Sequence, residues 1–345
     1  VELFPDSGEC HHELGLSYVA FGQHQAAANS FSSACELNPQ NMDYQLNYAI
    51  SLISLKQYRG ALAVLALITN DYPKYGEALY YKGLCLGYVD EFSSAYYTLE
   101  RAGEYGYSSG DLEATLAKLR FRENGATPEL LGFMKEGFAK GIRDAEFLDL
   151  LGEVLYQLRF YSELIGLSES LSIGGLLSLR LQNLEGLAYM ELERFCEAEA
   201  HFKRCIDTFP EDPSAWINLA LLQEKRGETA DAISSLQAAL SVSPNHTEAI
   251  FNLASLQLYS NSHEAELLLR RVIDLDPSHG KAYNHLGIIC MQQDRYGDAR
   301  NYFDLALQYQ GDTTELLNNM GLLAYQCRDF DDSERLLTMA LQKDP

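Results

Sequence analysis

Residues 280–313 read GKAYNHLGIICMQQDRYGDARNYFDLALQYQGDT, and this stretch decides the fold. Its first half carries Tyr283, Leu286 and Gly287, and its second half Ala299, Phe303 and Ala306. The small residues let two antiparallel helices approach closely, and the large ones fill the space between them. Counted from Gly280, these residues occupy columns 4, 7, 8, 20, 24 and 27.

The same columns return along the chain. From Gly8 they hold Leu14, Gly15, Ala27, Phe31 and Ala34, with Tyr18 at column 11. From Leu179 come Gly186, Tyr189, Ala198, Phe202 and Cys205; from Pro213, Trp216, Leu219, Ala220, Ala232, Leu236 and Ala239. From Thr314 come Gly321, Leu337 and Ala340. Prolines keep the same beat: Pro39, Pro73, Pro210, Pro244, Pro277 and Pro345 are separated by 34, 137, 34, 33 and 68 residues. The long gap is four units of 34 plus one residue. A proline lacks the backbone donor and disfavours helix for the residue before it, so each one ends a second helix and sets a turn, as at Asn38-Pro39, Asp276-Pro277 and Asp344-Pro345.

An aromatic residue, Leu-Gly, a tyrosine, then Ala, Phe, Ala and a closing Pro at this period resembles the tetratricopeptide repeat family. The resemblance implies an all-α fold, a solenoid superhelix of about ten helix-turn-helix units. Clear units are expected at 8–41, 42–75, 76–109, 179–212, 213–246, 247–279, 280–313 and 314–345. The 247–279 unit fits once one residue is deleted between its helices, which puts Ala265, Leu269 and Val272 on the Ala, Phe and Ala columns.

The centre is weaker. Unit 145–178 keeps Leu151, Gly152, Leu155 and Tyr161 but has Leu164 and Ser168 where Ala and a large apolar residue are usual. Residues 110–144 hold two helix-like stretches, Asp111–Arg122 and Pro128–Lys140, the second opened by Thr127-Pro128. The expected organisation is an amino-terminal block 1–109, a degenerate pair of units or an inserted joint at 110–178, and a carboxy-terminal block 179–345. One hairpin cannot fold alone: ordering its residues costs on the order of 50 kcal/mol, more than two helices bury. Stability must come from stacking. A start at Val1 and an end on a repeat-closing proline suggest a fragment of a longer protein.

Acidic residues outnumber basic ones 49 to 26, a net charge of −23. This opposes binding to nucleic acid or anionic membrane and favours basic or neutral protein partners. Apolar runs are short and interrupted at helical spacing, so no membrane insertion is expected. The seven cysteines are dispersed, odd in number and without a C-x-x-C pair, which favours a reducing, cytoplasmic setting. Cys205 and Cys290 fall on core columns, where a cysteine acts as a small apolar filler.

Catalytic constellations are missing. His11 and His12 are adjacent, so on a helix they point about 100° apart, and no further ligand stands at metal spacing. There is no glycine-rich phosphate loop and no nucleophile elbow. The expectation is a protein without enzymatic activity or cofactor.

In the family, the first helix of each unit lines the concave groove. The resemblance therefore implies a partner-binding face made of His12, Leu16, Leu46, Asn47, Ile50, Ile53, Tyr80, Leu84 and Tyr88 in the amino-terminal block. In the carboxy-terminal block it implies Asn218, Leu221, Phe251, Asn252, Tyr259, His285, Ile288, Asn319 and Leu322. The basic clamp of heat-shock-chaperone adaptors is absent, since His12, Leu16, Leu46, Ile50, Tyr80 and Leu84 stand at its positions. The apolar lining is similar to that of chaperones for type III secretion translocators.

Column 6 carries Asn47, Asn218, Asn252 and Asn319, with His285 between the last two. This is similar to the asparagine ladder of the protein O-linked N-acetylglucosamine transferase, where amides grip a peptide backbone through both donors and acceptor. The expected function is a protein-interaction scaffold or adaptor, within a multiprotein complex, that holds an extended or helical partner segment in its groove. The alternatives are the substrate-recruiting region of a larger enzyme and a chaperone holding an apolar segment.

Overall fold

The computed structural model describes residues 6–107 and 110–343. Among them every regular element is an α-helix, and the twenty helices pair as ten hairpins. The chain divides into two compact units, Val1–Leu181 and Gln182–Pro345. The first contains α1 (Gly8–Ala20), α2 (His24–Leu37), α3 (Met42–Ser54), α4 (Tyr58–Asp71), α5 (Gly76–Tyr88), α6 (Phe92–Glu104), α7 (Gly110–Asn124), α8 (Pro128–Ala139), α9 (Ala145–Gln157) and α10 (Tyr161–Ile173). The unit boundary falls within α11 (Leu179–Glu191). The second unit continues with α12 (Phe195–Thr208), α13 (Ser214–Lys225), α14 (Thr229–Val242), α15 (Thr247–Gln257), α16 (Ser262–Leu275), α17 (Gly280–Gln292), α18 (Tyr296–Gln310), α19 (Thr314–Gln326) and α20 (Phe330–Lys343). The turn expected at Asp344-Pro345 lies outside the described residues.

Local chemistry sets the helix ends. Asn41 opens α3, its side-chain oxygen accepting from the backbone N–H of Asp43 at 3.0 Å and of Tyr44 at 3.2 Å. Thr127 opens α8 in the same way from Leu130 at 3.2 Å, with Pro128 at the first helical position where its missing N–H costs nothing. Between the two helices of a hairpin the chain turns through a left-handed residue. Column 15 holds it in eight hairpins: Gly22 and Gly227, and also Lys56, Asp90, Arg159, Glu193, Asp294 and Arg328, whose φ values lie between 57° and 64°. The 247–279 hairpin, one residue shorter, has no positive φ between 258 and 261. There Asn261 caps α16 directly, accepting from Glu264 N–H at 3.4 Å.

Most hairpins bring columns 8 and 24 into close contact, Gly83 against Leu99 and Gly321 against Leu337 included. A Cβ added at Gly15, Gly186 or Gly287 would lie 2.6, 2.2 or 2.4 Å from the ring of Phe31, Phe202 or Phe303, closer than atoms can pack. Where column 8 carries the extra methyl of Ala49, Ala220 or Ala254, column 24 carries the smaller Leu65, Leu236 or Leu269. Ala265, Leu269 and Val272 are fully buried, as the one-residue deletion requires. Cys205 and Cys290 are buried, and burial pushes the Cys205 thiol up to about 11. In the 145–178 hairpin Leu164 and Ser168 are fully buried, and the Ser168 hydroxyl has no hydrogen-bond partner among the described residues.

Candidate partner-binding face

The first helices present two kinds of side chain at the expected groove columns. Leu16 (39 % exposed), Tyr88 (47 %), Tyr259 (78 %) and Leu322 (42 %) are open to solvent. Ile50, Ile53, Leu84 and Leu221 are half-buried. Leu46, Tyr80 and Ile288 are buried at 6, 8 and 7 % exposure, the first two at column 5, which turns toward the neighbouring hairpin. Tyr80 stacks on Tyr107 with ring centroids 4.4 Å apart and shares a hydrogen bond of 3.1 Å with Thr115. These three side chains pack the stack and present no surface.

The polar residues obey a rule that single helices do not reveal. Column 5 of one repeat meets column 6 of the next, 35 residues on. His12 Nε2 and Asn47 Nδ2 are 2.9 Å apart, Asn218 donates to Asn183 at 3.4 Å, and Asn319 donates to Asn284 at 3.0 Å. Tyr80 and Thr115 fill the same slot, with Thr115 in the 110–144 stretch. In the short repeat the pair is 34 apart, and the rings of Phe251 and His285 stack with centroids at 5.1 Å. His285 also lies 3.3 Å from the Ser255 hydroxyl. Burial holds the His285 imidazole below its ordinary value, with Glu315 pulling it up and His279 and Lys281 pushing it down.

Three of the expected ladder amides are thus engaged with the preceding repeat. Asn252 is the exception. Its slot partner is Ile217, buried and apolar, so its amide has no hydrogen-bond partner among the described residues. Asn252 lines a hollow of about 360 Å³ with Glu248, Phe251, Asp276, His279 and Lys281. The amide can both donate to and accept from a peptide group placed there. The His12 ring stacks on Tyr44 at 4.7 Å, and the described residues contain no group of three or more candidate metal ligands. No helix among them is long and apolar enough to cross a membrane.

The first helices of the first three repeats also carry acidic side chains. Column 2 carries Glu9, Asp43 and Glu77 in the first turns of α1, α3 and α5. The signal is present in the aligned repeats, but acidic residues near a helix start ordinarily serve the helix dipole.

Stacked helical hairpins that bury one pair of faces and expose a row of side chains on successive first helices define a helical-repeat protein. The chain belongs to the tetratricopeptide repeat family: two profiles of that family match residues 18–84, 183–247 and 251–313, together more than half of the chain. Tetratricopeptide repeat protein 8 of Caenorhabditis elegans is 22 % identical over 161 residues, 46 % of this chain and 32 % of that protein. Protein O-mannosyl-transferase TMTC3 of Homo sapiens is 24 % identical over 146 residues, 41 % of this chain and 16 % of that protein. The chain therefore spans less than a third of either relative. In the crystal structure of the APC/C hetero-tetramer Cut9–Hcn1, a chain 14 % identical aligns over 98 % of this chain and 87 % of its own length with a TM-score of 0.51.

Proposed function

We propose that this chain is a non-enzymatic interaction scaffold that holds an extended or helical segment of a partner protein on the faces made by its first helices. The observation that carries this is the exposure of large apolar side chains on those helices, Leu16, Val19 and Tyr88 in the first unit and Tyr259, Leu322 and Tyr325 in the second. Repeat stacking leaves a large part of each in water, even where Tyr88 stacks on Tyr58 and Tyr325 meets the edge of Phe330. Water-exposed apolar surface of this kind favours association. Asn252 adds an amide for a partner's backbone, and the net charge of −23 favours a basic or neutral segment. Assembly in a hetero-tetramer, as in the Cut9–Hcn1 crystal structure, is consistent with a place in a multiprotein complex.

Chemical crosslinking of the intact protein to its native partner, followed by mapping, tests this. Crosslinks should fall beside the first helices. Crosslinks confined to the second helices would contradict it. A second reading, a recruiting region within a larger enzyme, draws on the match to a small part of a transferase; a catalytic sequence in the same reading frame would decide for it.

A further inference from the structure

Three first helices of the amino-terminal unit, α1, α3 and α5, are nearly free of cations. Residues 1–55 contain no lysine or arginine, and α1, α3 and α5 together contain one, Lys82. Lys82 is turned away to α4, where its ammonium donates to the Thr69 hydroxyl at 3.0 Å. The next first helix, α7, by contrast carries Lys118, Arg120 and Arg122.

Two lanes run across α1, α3 and α5. One is apolar: Leu16 and Val19, then Ile50 and Ile53, then Leu84 and Tyr88, with Leu16 and Val19 39 and 43 % exposed. The other is acidic: Glu9, Asp43 and Glu77, each seven residues before the apolar column, or about 10 Å along the helix. None of these three carboxylates forms an ion pair among the described residues, and Glu77 accepts only from the Tyr75 hydroxyl at 3.4 Å. That hydroxyl is held above its ordinary value by burial, then by the Glu77 and Asp43 carboxylates. A second copy of this chain is a poor occupant, because each copy carries −23.

We infer that α1, α3 and α5 form a docking surface for a partner segment with an apolar face flanked by lysine or arginine. The segment lies across the apolar lane, and its cations reach the carboxylates beside it. This rests on the scaffold reading above and names the partner class for one unit.

The test uses a labelled peptide of about 18 residues in which leucines at helical spacing form one face and lysines the other. Its companions are a glutamate-for-lysine version and a permutation that scatters the leucines. The leucine-lysine peptide should bind, and neither companion should. L16S/V19S and D43N/E77Q should each weaken binding about tenfold. D274N/D304N removes the same charge from exposed positions of the second unit and should leave affinity unchanged. Side chains at 16 and 19 are already exposed, so the variant should fold, and its helical circular dichroism checks this. No binding of the leucine-lysine peptide, equal loss in the control variant, or L16S/V19S at wild-type affinity would overturn the assignment. So would concentration-dependent self-association abolished by L16S/V19S. In each of those cases crosslinks of the native partner elsewhere along the first helices would leave the scaffold reading standing.

Discussion

Asn319 donates its side-chain amide to the side-chain oxygen of Asn284 at 3.0 Å, and Asn284 donates onward to Glu315 at 2.9 Å. Asn284 is almost fully buried, so removing its partner leaves part of a buried amide unsatisfied. Asn319→Ala should cost about 1–3 kcal/mol in denaturant unfolding. Asn252→Ala, whose amide bonds to nothing among the described residues, should fall within about 0.5 kcal/mol of wild type. Equal costs would mean that the slot partner does not decide an asparagine's role.

Gly287 and Phe303 offer a sharper test of packing. A methyl group at 287 meets the Phe303 ring at 2.4 Å, so Gly287→Ala should destabilise by about 1–3 kcal/mol despite the higher helix propensity of alanine. G287A/F303L recreates the pairing of Ala220 with Leu236 and should recover part of that loss. A double-mutant cycle measures the coupling, and additive costs would reject the fit.

Buried Ser168 sits where other hairpins place phenylalanine or leucine, and its hydroxyl has no partner among the described residues. Ser168→Ala should raise stability by about 1 kcal/mol, read as an upward shift in thermal midpoint. A lower midpoint would show that the hydroxyl is satisfied.

These residues also mark how far the sequence could be read. Each column is occupied by chemistry that only one environment tolerates, so Gly15, Phe31, Ala27 and Ala34 announce a hairpin before any coordinate is known. The one-residue deletion in 247–279 is equally readable, because Ala265, Leu269 and Val272 must stay in register to be buried. The groove was less legible. Leu46 and Leu16 are both leucines on a first helix, yet one is 6 % exposed and the other 39 %. Leu46 stands at column 5 and Leu16 at column 9, yet column 9 itself holds buried Ile288 and open Leu322, because burial there depends on the neighbouring hairpin, which no single repeat encodes. The asparagine column misleads for the same reason: whether the amide is free depends on the residue 35 positions earlier, isoleucine for Asn252 and asparagine for Asn319.

Lys56 and Arg159 hold φ values of 60° and 64°, where a side chain costs about 1–2 kcal/mol. Lys56→Gly and Arg159→Gly should each stabilise, by about 0.5–1 kcal/mol after the extra freedom of glycine in the unfolded chain is subtracted. Destabilisation in both would show that those side chains contribute more than the strain removes.

His285 gives the fold a pH dependence. Its folded pKa is lowered, so below about 6.5 the unfolded chain takes up a proton that the folded chain does not. Stability is therefore complete above that pH and is lost as pH falls toward the folded value. Thermal midpoints of wild type should drop more steeply than those of His285→Asn between about pH 7.5 and 5.5. Parallel curves would remove His285 as the cause.

The central claim, that the first helices hold the partner, is tested most directly by amide hydrogen exchange of the intact protein with and without its partner. Binding should slow exchange in first helices such as α1, α3 and α5 or α15 and α19, and leave the exposed faces of the second helices unchanged. Protection confined to the second helices would contradict it.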